Sequence, residues 1–161
     1  MKYTEILENY RSQKRAYRQS VDQLKRKNKS DLDSAFQTEH EKAFQKIDCL
    51  ECANCCKTIS PIFKDKDIER IAKSMKMKPG LFIERYLHLD SDNDYVLNET
   101  PCPFLGVDNY CSIYDVRPKA CAEYPHTNHK SMHKHMKLVE KNLEVCPAVV
   151  EIVKRLDQVA G

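Results

Sequence analysis

The chemistry this sequence can do sits in its eight cysteines. Cys49, Cys52, Cys55 and Cys56 fall within the eight-residue run CLECANCC, and Cys102, Cys111, Cys121 and Cys146 follow at wider intervals. A thiolate is a soft anionic ligand suited to zinc, copper(I) or iron–sulfur clusters. Cys-x-x-Cys is useful because a two-residue turn lets both sulfurs reach one ion, and Cys49-x2-Cys52-x2-Cys55 offers three sulfurs on one loop. Tetrahedral four-thiolate coordination serves zinc and iron alike, so spacing leaves the metal open.

The triple spacing matches the first three ligands of the bacterial ferredoxin run, where a cysteine followed by proline supplies another ligand. Here Cys56 follows at once, and the Cys-Pro pairs are remote, at Cys102-Pro103 and Cys146-Pro147. Eight thiols make either one cluster with spare cysteines or two four-sulfur sites. Side chains of the neighbours Cys55 and Cys56 diverge, which suits two sites, or one ligand and one core residue. An isolated buried cysteine behaves as a small apolar residue; one or two of the eight are expected to be only that, Cys56 first among them.

Composition sets the surroundings of these thiols. At 161 residues, 41% hydrophobic and 32% charged, the chain reads as one soluble domain with an extension, hardly as two independent cores. Three glycines, with no GxGxxG or Walker pattern, argue against a phosphate-binding loop. MKYTEILENY lacks the apolar stretch of a signal peptide, and no apolar run approaches a membrane span. The expected location is therefore the cytoplasm, where thiols are kept reduced and a cysteine-rich pattern points to metal rather than disulfides.

The elements that must position the thiols are mostly helical. Tyr3, Leu7, Tyr10, Lys14, Tyr17, Val21 and Leu24 step by four and three, which predicts one amphipathic helix across residues 1–28 with Lys14 its polar break. A second helix is expected from Ser30 as N-cap with Asp33 three residues on, using Leu32, Phe36, Ala43, Phe44 and Ile47. Residues 1–46 then form a basic helical hairpin, and residues 47–161 a cysteine-cluster metal-binding domain. KTISPIF reads as extended, Asp65 or Asp67 as the cap of a helix using Ile68, Ile71, Ala72 and Met75, and Pro79 as the start of another. Residues 88–128 are turn-rich with few large apolar side chains, and a short strand is expected at Tyr95–Leu97. Such loops need a metal to hold them; structural zinc contributes on the order of 10 kcal/mol or more in small peptides. Met132, Met136, Val139 and Leu143 predict a helix, and Cys146-Pro147 opens the last one, with Val149, Ile152, Val153, Leu156 and Val159 on one face.

Two further features bear on partners. His126, His129, His133 and His135 cluster in YPHTNHKSMHKHM, with His129 and His133 one helical turn apart, an arrangement able to grip a metal ion. Without an acidic HExxH partner this is no zinc protease, and the four lysines between 130 and 141 favour a wet basic face. Residues 11–29 carry eight basic residues against Asp22 alone, a local charge of +7 in a chain of +3. Such a helix suits an acidic protein or RNA, or simply a solvated face.

CLECANCC, CPFL at 102–105, Cys111-Ser-Ile-Tyr114 and RPKACAEYP at 117–125 together resemble the YkgJ-like bacterial cysteine-cluster family, described as a zinc- or iron-chelating domain. The resemblance covers roughly residues 47–150. It implies that Cys49, Cys52, Cys55, Cys56, Cys102, Cys111, Cys121 and Cys146 hold zinc or iron, a 4Fe-4S cluster included. A related cysteine-rich region occurs in bacterial flagellin lysine methylases, which keeps an iron–sulfur redox or group-transfer enzyme in view and leaves open whether this chain is an enzyme. Ala122 departs from the family, which usually has arginine after the RPxxC cysteine, and the basic N-terminal hairpin lies outside the shared region. Arg117 is expected at the cofactor, donating to sulfur or pairing with a carboxylate. Pro118 should open the turn that presents Cys121, with Tyr114 and Tyr124 covering the site.

Overall fold

The fold is given by a computed structural model that describes residues 2–160, the side chains at 159 and 160 excepted, so the apolar position expected at Val159 lies outside the described residues. The helices run α1 (Lys2–Ser12), α2 (Lys14–Leu24), α3 (Lys29–Phe44), the single turn α4 (Cys49–Cys52), α5 (Asn54–Thr58), α6 (Asp65–Ser74) and α7 (Pro79–Tyr86). An antiparallel ribbon of β1 (Leu87–Leu89) and β2 (Tyr95–Leu97) precedes α8 (Lys119–Glu123), α9 (Met136–Asn142) and α10 (Pro147–Ala160). The protein is mainly α, as its periodicity predicts, with its cysteines on short helical turns and irregular loops. Among the described residues no helix is long and apolar enough to cross a membrane.

Two compact units divide the chain. One joins the segment up to Cys52 with the segment from Pro125 onward; the other is Ala53–Tyr124. In the first, α10 lies against α1, α2 and α3. The expected stripes meet there: Leu7, Tyr10, Tyr17, Val21 and Leu24, then Leu32, Phe36 and Ala43, then Met132, Met136, Val139 and Leu143, all buried with Val149, Ile152, Val153 and Leu156. Burying a side chain such as Phe36 contributes roughly 1.5–3 kcal/mol.

The N-terminal helix is not continuous. It breaks at Gln13, where φ is −126° and ψ 22°, although no glycine or proline stands there. Ser12 Oγ donates to the Asn9 carbonyl at 2.7 Å and Gln13 Nε2 donates to Asn9 Oδ1 at 3.2 Å, so short polar side chains compete with the helical ladder. Helix α3 likewise starts earlier than expected: Asn28, not Ser30, is the N-cap, its Oδ1 accepting from the Ser30 N–H at 2.9 Å. Lys14, the polar break in the stripe, pairs with Glu144 at 2.7 Å, and Arg18 and Lys25 reach Glu140 at 3.3 and 3.6 Å.

The 53–124 unit has its own core of Phe63, Ile68, Ile71, Ala72, Phe82, Leu87, Leu97, Phe104 and Ile113. This corrects the expectation of a single core: the turn-rich stretch is apolar-poor but spends Leu97, Phe104 and Ile113 inward. Phe82 anchors it, stacked on Phe104 with planes 9° apart and centroids at 6.1 Å. β1 and β2 pair in the register Leu87↔Leu97; of KTISPIF, expected to be extended, Lys57 and Thr58 instead end α5, and the chain is extended from Ile59 to Phe63, whose N–H donates to the Tyr95 carbonyl at 2.9 Å. Helix α6 is capped from within: the Asp67 carboxylate accepts the Lys64 N–H at 2.9 Å, so Asp67 sits in the first turn and Lys64 precedes it.

Candidate metal centre

Four segments of the 53–124 unit bring thiols together. Cys56 lies on α5, and its carbonyl accepts the Cys102 N–H at 2.8 Å, which ties the first cysteine run to the CPFL stretch. From there the chain turns back on itself. Leu105 bridges Cys111, the Ser112 N–H donates to the Phe104 carbonyl at 2.8 Å, and the Gly106 N–H donates to the Tyr110 carbonyl at 2.8 Å. Gly106 is needed at this tight return, because a Cβ there would stand 2.6 Å from Asp108 Oδ1 and 3.3 Å from the Tyr110 carbonyl oxygen. Cys121 arrives on α8, where its N–H and that of Ala122 donate to the Pro118 carbonyl at 2.9 and 3.0 Å. Pro118 is the N-cap, as expected.

The sulfurs are close enough for their charges to act on one another. Burial raises the Cys121 thiol to about 12, and the charges of Cys56, Cys102 and Cys111 add to the shift, with Arg117 opposing. Cys102 rises to about 11 through burial and the charges of Cys56 and Cys111, against the backbone N–H groups of Phe104 and Leu105 that favour its anion. Cys111 is raised by burial and by Cys56, opposed by the Ile113 N–H and Arg117. Cys56 goes the other way, to about 7, because the Cys55 thiol donates to it. Expected to be the merely packed thiol, Cys56 instead belongs to this electrostatic group. Four sulfurs so placed are not all anions at neutral pH unless a cation stands among them.

In the other unit the charges of Cys49 and Cys52 act on Cys146. The Asp48 carboxylate accepts the Leu50 N–H at 2.8 Å at the start of α4, whose single turn places residues 49 and 52 on one side. Tyr3 fixes this turn to α1: its hydroxyl accepts the Asp48 N–H at 3.1 Å and donates to Glu51 at 2.9 Å. Cys146 precedes Pro147 at the start of α10, with the N–H groups of Ala148 and Val149 facing its sulfur. Burial still lifts its thiol to about 12, and the charges of Cys49 and Cys52 lift it further. Between the two groups of the sequence stands Ala53, whose φ of 45° is a left-handed conformation uncommon for a residue with a side chain.

Arg117 lies over the ring of Tyr114 at 3.9 Å, donates to the Tyr114 carbonyl at 2.7 Å, and exerts its positive charge on Cys111 and Cys121. Tyr114 itself is 47% exposed. Arg70, and a second role for Asp67 beyond capping α6, escaped the sequence reading. Asp67 accepts the Lys119 N–H at 3.1 Å as well as Arg70 Nη2 at 2.8 Å, and Arg70 donates to the Arg117 carbonyl at 2.8 Å. Together they hold the backbone that delivers Cys121, across some fifty residues of chain that no local pattern spans. The histidine helix also differs from expectation. Residues 132–134 form a 3-10 turn and His129 precedes it, so His129 and His133 are not one α-helical turn apart.

The donors are sulfur, a ligand suited to thiophilic metals: N–H groups face Cys102, Cys111 and Cys146, and the Arg117 charge acts on Cys111 and Cys121. A protein-family model described as "CxxCxxCC: Putative zinc- or iron-chelating domain" matches residues 48–147. Neither the curated proteins nor the solved structures compared with the chain gave a match. The matched segment takes in all eight cysteines and more than half of the sequence. The chain belongs to the CxxCxxCC family.

Proposed function

We propose that this protein holds zinc or iron, as single ions or as an iron–sulfur cluster, in two thiolate centres. One uses Cys56, Cys102, Cys111 and Cys121; the other uses Cys49, Cys52 and Cys146. Cys55 serves the first by donating its thiol hydrogen to Cys56, and Arg117, braced on Tyr114, offsets the charge of Cys111 and Cys121. Bound metal supplies the positive charge under which the ligand sulfurs, Cys55 apart, are thiolates together. The observation that carries the reading is the mutual action of four thiols drawn from four separate stretches of the 53–124 unit. The metal's role is to hold that unit, whose core is small, and the expected setting is the reducing cytoplasm. An adaptor role for the basic N-terminal helix draws less support, since Lys14, Arg18 and Lys25 already have carboxylate partners.

Elemental analysis of anaerobically isolated protein tests the assignment. Brown protein with iron and acid-labile sulfide identifies a cluster; colourless protein with stoichiometric zinc identifies single ions. Cys102→Ser with Cys121→Ser should empty one centre and Cys49→Ser with Cys146→Ser the other. Folded protein lacking both metals, or full occupancy in both double variants, refutes it.

A further inference from the structure

The segment between α8 and α9 carries a second cluster of ligand side chains that uses none of the cysteines. His126 Nδ1 lies 3.1 Å from His129 Nε2, with the rings stacked 8° from parallel. His135 meets the His129 ring nearly at a right angle, at 83° and with centroids 3.9 Å apart. This loop is not loose. Asn142 Nδ2 donates to the Pro125 carbonyl at 3.0 Å, the buried Thr127 hydroxyl lies 2.8 Å from His40 Nδ1, and the Met132 N–H donates to Asp33 at 2.8 Å. His126 also adopts φ 63°, a left-handed conformation that a residue with a side chain takes at a cost.

We propose that His126 and His129 form an imidazole cation site for a borderline first-row dication of the zinc type, with His135 holding the His129 ring in place. Imidazole nitrogen suits zinc, nickel and copper ions. Two bonds of about 2.0–2.1 Å reaching nitrogens 3.1 Å apart meet at about 98°, between octahedral and tetrahedral angles. The separation of the two nitrogens therefore suits one shared ion, which would replace the proton that now links them. The anchors at Pro125, Thr127 and Met132 preorganise them, and solvent completes the coordination. Lys130 and Lys134 flank the pair in sequence and disfavour a cation, so this site is weaker than an all-thiolate centre.

The test uses the full chain as isolated, with whatever metal its thiols carry, titrated with Zn(II). Wild type should take up one equivalent more than the double variant His126→Ala/His129→Ala, whose affinity for that equivalent falls by more than about 100-fold, beyond the loss from removing an outer partner. The Cys102→Ser/Cys121→Ser variant should retain the extra equivalent, which separates this site from the thiolate reading. As a measurement that needs no variant, zinc should shift the imidazole 15N resonances of His126 and His129 in wild type. Equal zinc uptake by wild type and a folded histidine double variant overturns the proposal, as do unmoved imidazole resonances, which leave only a hydrogen-bonded histidine pair.

Discussion

Asp67→Ala should destabilise the 53–124 unit out of proportion to the carboxylate it removes. Asp67 is 3% exposed and its carboxylate accepts three donors: the Lys64 N–H, Arg70 Nη2 and the Lys119 N–H. Losing the contact that starts α6 costs about 1 kcal/mol, by analogy with a lost cap. Losing the charge-assisted bond at Lys119 costs about 1.5 kcal/mol, the low end for hydrogen bonds to ions. Arg70 is 42% exposed and keeps the Arg117 carbonyl, so that pair adds at most about 0.5 kcal/mol. The total is about 3 kcal/mol, a large share of the roughly 4–11 kcal/mol expected for a unit of 72 residues. Burial pushes the Asp67 carboxyl up, but its three donors outweigh that and hold it below the ordinary 3.8. A depressed carboxyl contributes stability above its unfolded value and loses it as pH falls through the folded one, so variant and wild type should converge below about pH 4. Urea denaturation of the metal-free protein, followed by near-ultraviolet circular dichroism, measures the difference. With Lys119 released, Cys121 is less well placed, and metal affinity by chelator competition should fall about 10–100-fold. A loss of stability under about 0.5 kcal/mol at pH 7, the range of an ordinary surface change, refutes the reasoning.

Metal uptake by the four-thiol group should expel protons, because Cys102 and Cys121 stand at about 11 and 12, Cys111 is raised, and Cys56 at about 7 is half ionised. Between three and four protons should leave this group at pH 7, about a thousandfold or greater loss of affinity at pH 6, checked by calorimetry in two buffers. The same raised thiols stabilise the metal-free fold below their ordinary 9.0 and forfeit that as pH climbs toward 11 and 12, so metal-free protein should weaken above pH 9 in thermal melts. Asn28→Ala should cost about 1 kcal/mol in urea titrations through the lost cap of α3. Lys14→Ala should cost less than about 1 kcal/mol by the same measurement, since Lys14 and Glu144 are 53% and 44% exposed despite their 2.7 Å contact.

The helix faces were legible because burial and periodicity carry the same information: Tyr10, Tyr17 and Val21, or Met136, Val139 and Leu143, are spaced as a helix must space them and lie in the core. The break at Gln13 was not, because it arises from hydrogen bonds of Asn9 and Ser12 that only the folded geometry selects. The thiols were legible as a set. Their division was not, since sequence distance does not say that Cys56 answers to Cys121 while Cys52 answers to Cys146. Asp67 looked like a helix cap and is also a brace for α8, a second role visible only once residue 119 is beside it. The histidine cluster was in view, but helical spacing paired His129 with His133, whereas the loop sets it against His126.

Because α10 is the shared wall of α1, α2 and α3, the first unit lacks its centre until translation has passed residue 147. Ala53–Tyr124, by contrast, is a continuous stretch and is complete well before then. A ribosome making this polypeptide therefore finishes the cysteine-bearing insert while the amphipathic N-terminal helices still wait with their apolar stripes uncovered. The insert can therefore fold before the flanking bundle closes, and a chain halted before α10 would leave the stripes of α1, α2 and α3 in need of a chaperone.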